Sequence, residues 1–212
     1  MSIQIYKPNS KNTGSAYTFS LTSDSKSKAP VFYISAISQY SWDDNTKTGS
    51  FSGNSKDPNK TINFKINEVE AGSIISCINS RYESTFFHSY DSNNTTFKIT
   101  PWDKSVKVSK YNTSTKSYEE SSQTIPAVGI TLSKGKGNSI KIALEPGEAE
   151  VLKTLLSEFI SEYLKFKIEE QKSKYSSSYN SKSSTKPDVK KQPEPEPEPE
   201  TLESEEFEEA PF

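Results

Sequence analysis

Aromatic and lysine side chains alternate in the stretch 97–102 (FKITPW), which has the pattern of a β-strand. Because successive side chains of a strand point to opposite faces, Lys98 and Trp102 share one face. A flat ring can stack on an unpaired nucleobase, for about 1–3 kcal/mol per base, and an ammonium group can neutralise a phosphate. Trp102 beside Lys98, followed by Lys104 and Lys107, therefore predicts a stacking platform for single-stranded nucleic acid.

A second group of aromatic and lysine residues lies in the first half of the chain. Tyr40 and Trp42 share one face of a β-like run, and Lys47 and Phe51 follow it. The predicted DNA contacts are completed by residues of the same chemistry elsewhere: Tyr6, Lys7, Lys110, Tyr111, Lys134 and Lys136. Each position also has a second interpretation. An aromatic ring on a strand is typical of a protein core, and lysines in the glycine-flanked turn 133–138 also fit a solvated loop.

The other polar residues give little sign of catalysis. A single cysteine, Cys77, excludes an internal disulfide and a cysteine-based zinc site, and the lone His88 leaves no imidazole cluster. His88 has no obvious acidic partner, which favours a structural histidine, and Cys77 is expected to be a buried small hydrophobe. No P-loop, paired-carboxylate motif or catalytic triad is present. We therefore expect a protein that is not an enzyme and that uses no metal or cofactor.

The first half of the chain has the pattern of several strands followed by a helix. Alternating apolar residues predict strands at 3–7, 16–21, 31–42 and 61–66. Ile62 and Phe64 are predicted core residues of the last of these strands. Asn67 can cap a helix whose first turn is acidic, which suits the positive end of the helix dipole. Asp43 and Asp44 predict a turn.

The second half repeats this scheme, so the order of elements predicts an α+β fold. Strands are predicted at 85–90, 95–102, 104–108, 130–132 and 139–144, with a hairpin turn at 133–138. Ile140, Ile142 and Leu144 are predicted core residues, and Pro146 suits the first turn of a helix. The apolar stripe of that helix is broader than one sheet can cover, which predicts self-association. It consists of Val151, Leu152, Leu155, Leu156, Phe159, Ile160, Tyr163 and Leu164.

Charge and composition divide the chain into a body and a tail. Of its 212 residues, 26 are Lys or Arg and 28 are Asp or Glu, which gives a formal net charge of −2. Residues 1–144 hold 17 basic and 11 acidic side chains, whereas 192–212 hold nine glutamates and no lysine or arginine. The Ser-rich and Pro-Glu-rich stretches cannot bury enough apolar surface to offset the entropy of ordering. We predict a folded domain at 1–170, a flexible linker at 171–192 and a disordered acidic tail at 193–212.

Targeting and membrane signals are not visible in the sequence. No stretch approaches the roughly 20 apolar residues that a membrane span needs. The first ten residues lack the apolar core of a signal peptide. We therefore expect a cytoplasmic protein with no membrane partner.

Several short segments, in order, resemble Whirly proteins. QYSW (39–42) resembles the QYDW-type segment of that family, INEVEAGSIISC (66–77) resembles the helix that follows, and ESTFFHS (83–89) is similar to its ES-x-EFFH segment. The resemblance covers about 1–165. It implies binding of single-stranded DNA by two antiparallel β-sheets packed on helices, and a homotetramer assembled through the helices. The family's KGK-type motif lies near its first strands, whereas Lys134 and Lys136 lie in the second half here, so that motif's role is not transferred.

The last residues carry a second resemblance. EEFEEAPF (205–212) is similar to the acidic tip of bacterial single-stranded DNA-binding proteins, which ends in Pro-Phe. It implies a bacterial or phage setting, with replication or repair proteins captured through Phe207, Pro211 and Phe212. Two other functions stay open: an RNA-binding or transcription-regulating protein on the same scaffold, and a structural or assembly phage protein with a solubilising tail.

Overall fold

The computed structural model describes residues 1–90, 93–135 and 137–180. The chain divides into two units, Met1–Lys172 and Ser173–Phe212. The predicted contacts Lys136, Phe207, Pro211 and Phe212 lie outside the described residues, as does the acidic tail. None of the helices in the described part combines the length and the hydropathy of a membrane span.

The first half forms a four-stranded antiparallel sheet, the first sheet, in the spatial order β1-β2-β3-β6. A small hairpin, β4–β5, and a 3₁₀ turn at Ser52–Asn54 lie between β3 and β6. Alternation places most of the large apolar side chains of β2, β3 and β6 on one buried face, while mainly polar side chains lie on the other face. The bounds are β1 Ser2–Lys7, β2 Ser15–Ser23, β3 Pro30–Ser38, β4 Ser41–Asp43, β5 Thr48–Ser50 and β6 Thr61–Ile66.

The second half forms a second antiparallel sheet, in the order β10-β9-β8-β7. Its two central strands are far longer than their neighbours, with 20 residues in β8 and 18 in β9. Beyond the pair Trp102 and Ala127 they continue without a third strand as a two-stranded ribbon, residues 103–126. The bounds are β7 Ser84–Tyr90, β8 Asn93–Asn112, β9 Ser117–Lys134 and β10 Asn138–Leu144.

The turn at the end of the ribbon is built from an asparagine and a lysine. The Asn112 side-chain oxygen accepts a hydrogen bond from the backbone N–H of Ser114 at 2.9 Å. Lys116 adopts a left-handed backbone with φ of 52°. The same construction closes the β4–β5 hairpin, where Asp43 accepts from Asn45 and Lys47 has φ of 53°. The turn predicted at Asp43 is therefore confirmed.

A helix follows each sheet. Helix α1, Glu68–Ser80, begins with a capping box in which Asn67 accepts from the Glu70 N–H and the Glu70 carboxylate accepts from the Asn67 N–H. It ends at Arg81, which has a left-handed backbone. Helix α2, Pro146–Asn180, begins at the predicted proline. Leu152, Leu155, Leu156 and Phe159 are the fully buried members of its predicted apolar stripe.

The buried faces of the two sheets and the two helices enclose one core. Phe64 of the first sheet contacts Phe97 of the second, with ring centroids 5.8 Å apart, and Phe32 contacts Phe159 of α2 at 5.5 Å. The buried Tyr17 joins the sheets directly, because its hydroxyl donates to the Ile140 carbonyl at 2.6 Å. Burial raises the pKa of this phenol above its ordinary value. The predicted core residues are confirmed as buried: Ile62, Phe64, Cys77, Ile140, Ile142 and Leu144.

The predicted α+β arrangement of strands then a helix, twice, is confirmed, but four boundaries differ. The strand predicted at 130–132 spans Ser117–Lys134, because its N-terminal part pairs with β8. The run predicted at 31–42 is interrupted at Gln39 and Tyr40, and the strands predicted at 95–102 and 104–108 are one strand. Helix α2 extends to Asn180, ten residues into the predicted linker. Serine is the commonest residue of this extension, beside two lysines and one glutamine, and no proline or glycine interrupts it. An established helix can be extended through such residues because nucleation has already occurred.

Candidate nucleic-acid interface

The outer face of the second sheet, which points away from the core, carries the best sequence-predicted platform. Trp102 is 41% exposed, and its indole lies beside Gly129, where no side chain intervenes. Lys98 lies four residues before Trp102, on the same face of β8. A row of paired residues crosses the sheet here: Thr85, Lys98, Thr131 and Lys141. An exposed ring and two ammonium groups thus share one surface.

Strand alternation divides the lysines of the ribbon between two faces. Lys104 and Lys110 continue the outer face that carries Trp102, whereas Lys107 and Tyr111 lie on the opposite face. Lys107 therefore does not share the face of Trp102, and its contact with DNA stays a prediction. Near the tip, the Tyr111 ring meets Tyr118 edge-on, with centroids 5.2 Å apart.

A cleft lies between the outer face and the β1–β2 loop, and we call it the lysine cleft. It has a volume of about 260 Å³. Its lining includes Trp102 and three lysines, Lys7, Lys104 and Lys141. A second depression of about 330 Å³ shares Lys141 with it and adds Lys60. Together they form a trough with room for an extended chain that carries negative charge.

Most of the predicted phosphate contacts already hold a carboxylate. The Nζ–Oε distances are 2.6 Å for Lys7 with Glu148 and 2.5 Å for Lys104 with Glu145. Lys98 contacts Glu83 at 2.7 Å, Lys107 contacts Glu120 at 3.6 Å, and Lys47 contacts Asp44 at 3.4 Å. Within the described residues, Lys60, Lys110, Lys134 and Lys141 have no carboxylate within ion-pair distance. Lys60 and Lys141 were missed by the sequence reading, because isolated lysines on a loop and an edge strand give no signal.

A buried glutamine, Gln39, precedes the predicted aromatic residue Tyr40 in the first half. The Gln39 side chain accepts a hydrogen bond from the Asn9 N–H and donates to the carbonyls of Asn9 and Ser41. These hydrogen bonds tie the β1–β2 loop to the start of β4. Tyr40 follows and is 59% exposed. A Cβ added to Gly53 would lie 2.6–2.7 Å from three atoms of the Tyr40 ring, so the ring packs directly on that glycine. Its other face is open to solvent.

The remaining members of this group are more separated. Tyr6 is 53% exposed and contacts Phe51, with centroids 5.8 Å apart. The Trp42 indole N–H donates to Asp44 at 3.1 Å, in the β4–β5 hairpin that also holds Lys47. The prediction that Tyr40 and Trp42 share a strand face is wrong, because the strand is broken at Tyr40. Lys134 ends β9 and is half-buried.

His88 has an acidic partner that the sequence analysis did not find. Its Nε2 lies 2.7 Å from the Glu70 carboxylate, and its ring stacks on Phe64 with centroids 4.2 Å apart. The expectation of no acidic partner is therefore wrong. Glu70 is 18 residues away and reaches His88 only because α1 packs beside β7. The contacts tie the helix to the sheet, as expected of a structural histidine.

No protein-family model matches the chain, and no curated protein matches it significantly. Among solved structures, it is similar to WHY1 of Arabidopsis thaliana, with 14% identity and a TM-score of 0.49 over 83% of this chain and 92% of that one. WHY3 of Arabidopsis thaliana aligns at 13% identity and a TM-score of 0.48, over 84% and 96%. The plant transcriptional regulator PBF-2 aligns at 15% identity and a TM-score of 0.47, over 89% and 97%. At this identity the likeness to these Whirly proteins concerns the fold alone.

Proposed function

We propose that the protein binds single-stranded DNA with little sequence specificity. The observation that carries this proposal is the continuous surface formed by the exposed Trp102, the outer face and the lysine cleft beside it. Aromatic stacking needs unpaired bases, since a duplex hides their faces, and the lysines offer charge to phosphates without reading base edges. Stacking therefore favours a single strand over a duplex, and phosphate contacts favour tolerance of sequence.

Fluorescence anisotropy with labelled oligonucleotides tests this proposal. Oligo-dT, oligo-U and a duplex of equal length are titrated with the full chain at several salt concentrations. We expect oligo-dT to bind more tightly than duplex, with an affinity that falls steeply as salt rises but leaves a residual from stacking. A clear preference for oligo-U would support the RNA-binding alternative. Absence of binding to all three at low salt would contradict the proposal and favour an assembly protein.

The cellular role that we propose is the coating and protection of single strands during replication, recombination or repair, in the cytoplasm of a bacterial or phage-infected cell. The acidic tail would modulate binding and present Phe207, Pro211 and Phe212 to partner proteins. The support is its nine glutamates, tethered to a body with an excess of lysine, which raises their effective concentration at the DNA surface. Truncation to residues 1–191 should tighten DNA binding at low salt. Unchanged affinity would contradict the modulating role, and deletion of Phe212 alone should abolish only partner capture.

We also propose that the chain forms homotetramers. The support is apolar surface left on the helices, since Leu164 and Ile168 of α2 are each 52% exposed and Val69 of α1 is 71% exposed. Large side chains exposed one helical turn apart are typical of surfaces that associate.

A further inference from the structure

Two glutamates at the start of α2 reach into the lysine cleft. Glu145 immediately precedes the helix and contacts Lys104, and Glu148 lies in its first turn and contacts Lys7. Both lysines line the same cleft as Trp102. Two of the three ammonium groups in the cleft that holds the exposed ring are thus paired with carboxylates from one helix terminus.

Both carboxylates are only partly buried. The hydrogen bond from Lys104 holds the pKa of Glu145 below its ordinary value, and the charge of Lys7 adds to this effect. The side chains of the four residues remain 30–48% exposed, so water can reach both pairs. Ion pairs in such positions are weak and are easily exchanged.

Glu148 also has a stabilising contact that survives loss of its lysine. The Glu148 carboxylate accepts the backbone N–H of Glu145 at 2.8 Å, which closes the first turn of the helix. Negative charge there is favoured by the positive end of the helix dipole. The Glu148 carboxylate can therefore release Lys7 and keep its backbone hydrogen bond, while Glu145 keeps its place beside the positive end of the helix.

We propose that Glu145 and Glu148 are phosphate surrogates, whose carboxylates occupy Lys104 and Lys7 in the free protein and are displaced by the backbone phosphates of a bound strand. This inference rests on the proposed function and adds its regulation. Lys141, which lines the same cleft and has no carboxylate partner within the described residues, makes the first contact, and the paired lysines then change partners. The base that follows enters the cleft against Trp102.

Exchange of this kind has a consequence opposite to that of an ordinary contact. The glutamates weaken DNA binding, because every phosphate must compete with a carboxylate already in place. They also reduce the dependence of DNA affinity on salt concentration. Each displaced carboxylate binds a cation from solution, which offsets a cation released from the DNA. The protein then leaves and rebinds a strand more readily than its lysine content would predict.

The test uses Glu145→Gln and the double variant with Glu148→Gln in the full chain, measured by anisotropy with labelled oligo-dT. Glutamine keeps the size and the hydrogen-bond acceptor of the first turn. We expect binding roughly threefold tighter for Glu145→Gln and roughly tenfold tighter for the double variant, in line with the strength of exposed pairs. The slope of log Kobs against log salt should steepen by roughly one cation per removed glutamate. Glu158→Gln, an equal charge change on the same helix, is the matched control and should alter affinity less than 1.5-fold, roughly the effect of a screened surface charge.

A second set of variants, made in Lys104→Gln, distinguishes exchange at Lys104 from a general effect of charge on affinity. In Lys104→Gln, the carboxylate of Glu145 has no ammonium group to occupy, so adding Glu145→Gln should no longer tighten binding. Persistence of the full gain in that background, or an equal gain from Glu158→Gln, would overturn the inference while leaving the proposed function intact. Failure of every variant to bind oligo-dT at low salt would overturn both.

Discussion

Trp102 is the residue on which the candidate interface depends most directly. It stands where β8 leaves the sheet, and Gly129 leaves room beside its indole. A half-exposed indole in the same cleft as three ammonium groups is a costly arrangement unless a ligand covers it, because apolar surface of this size is ordinarily buried. Its loss should therefore affect binding more than folding.

Replacing Trp102 by alanine should weaken oligo-dT binding about thirtyfold, the middle of the range for loss of one stacked base. Trp102→Phe keeps a flat ring and should stay within about threefold of the parent. Tyr33→Ala, which removes an exposed ring from the outer face of the first sheet, is the control and should leave affinity unchanged. Equal affinities for Trp102→Ala and the parent protein in anisotropy titrations would remove Trp102 from the interface.

Gly53→Ala offers a way to move Tyr40 without deleting it. The new methyl group would overlap the Tyr40 ring and turn it away from its present position. If Tyr40 stacks on a base, this variant should weaken binding about fivefold, and Tyr40→Ala combined with it should add nothing further. Gly72→Ala, where the added methyl group meets no neighbour, is the matched glycine control. A loss in Gly53→Ala that Tyr40→Ala does not share would show that the glycine acts through another contact.

At the scale of single residues, the sequence predicts which side chains are buried better than it predicts which residues contact each other. Alternation correctly assigned Ile62, Phe64 and Ile140 to the core, because burial on one face of a strand is a local pattern. The pairing of Lys7 with Glu148 joins residues from opposite ends of the folded body, and no local pattern encodes it. The hydrogen bonds of Gln39 to the β1–β2 loop were hidden for the same reason.

Among the elements, the two-stranded ribbon is the least predictable from the sequence. Its strand β9 includes the stretch 117–124 (SYEESSQT), which has few residues that favour strands. It is extended because the opposite strand pairs with it, residue by residue, from Asn112 and Ser117 inward. Prolines at 101 and 126 and several lysines discourage a further strand from joining at either edge.

Shortening the ribbon tests whether Lys107, Lys110 and Tyr111 contact DNA. Residues 106–123 can be replaced by Asn-Gly, which joins the directly paired Ser105 and Thr124 by a tight turn. We expect an unchanged thermal midpoint, because the removed residues lie outside the core. Affinity for oligo-dT should fall roughly fivefold or more if one stacked ring and its neighbouring lysines are lost. Full affinity of the shortened protein would confine the interface to the sheet and the cleft.

At the scale of the whole molecule, acid should destabilise the fold through several carboxylates at once. Backbone N–H groups hold the pKa of Asp24 and Asp43 below the ordinary value, and lysines do the same for Glu83 and Glu145. A lowered pKa in the folded state means that stabilisation is complete above the ordinary carboxyl pKa and is lost as pH falls through the lowered value. The thermal midpoint should thus decline between about pH 5 and pH 3.

Circular dichroism melts from pH 6 to pH 3 measure this decline, and a conservative variant assigns part of it. In Asp43→Asn the amide oxygen can accept the same backbone hydrogen bonds at every pH. Combined with Asp24→Asn, it should reduce the decline while leaving the midpoint at pH 6 nearly unchanged. An identical decline in the double variant would show that the two turns do not contribute.

The proposed assembly is tested by placing charge on exposed apolar positions of α2. Leu164→Glu with Ile168→Glu should lower the mass measured by light scattering toward that of one chain, because charged side chains resist burial between subunits. Both positions are half-exposed, so stability should change by only about 0.5 kcal/mol. Lys165→Glu with Lys172→Glu is the exposed control pair on the same helix. An unchanged mass in the variant with Leu164→Glu and Ile168→Glu would mean that the chains associate elsewhere or not at all.

The asparagine–lysine turn at the tip of the ribbon has a consequence for how the protein folds. A short loop closes with little entropic cost, so the pairing of β8 with β9 can start at Asn112 and Ser117 and proceed inward as a zipper. A slip of one residue at that turn would rotate Phe97 and Ile99 out of the interior, because neighbouring strand residues face opposite ways. The alignment of the buried half of the second sheet is then decided roughly 40 Å away, in solvent, before the interior exists to enforce it.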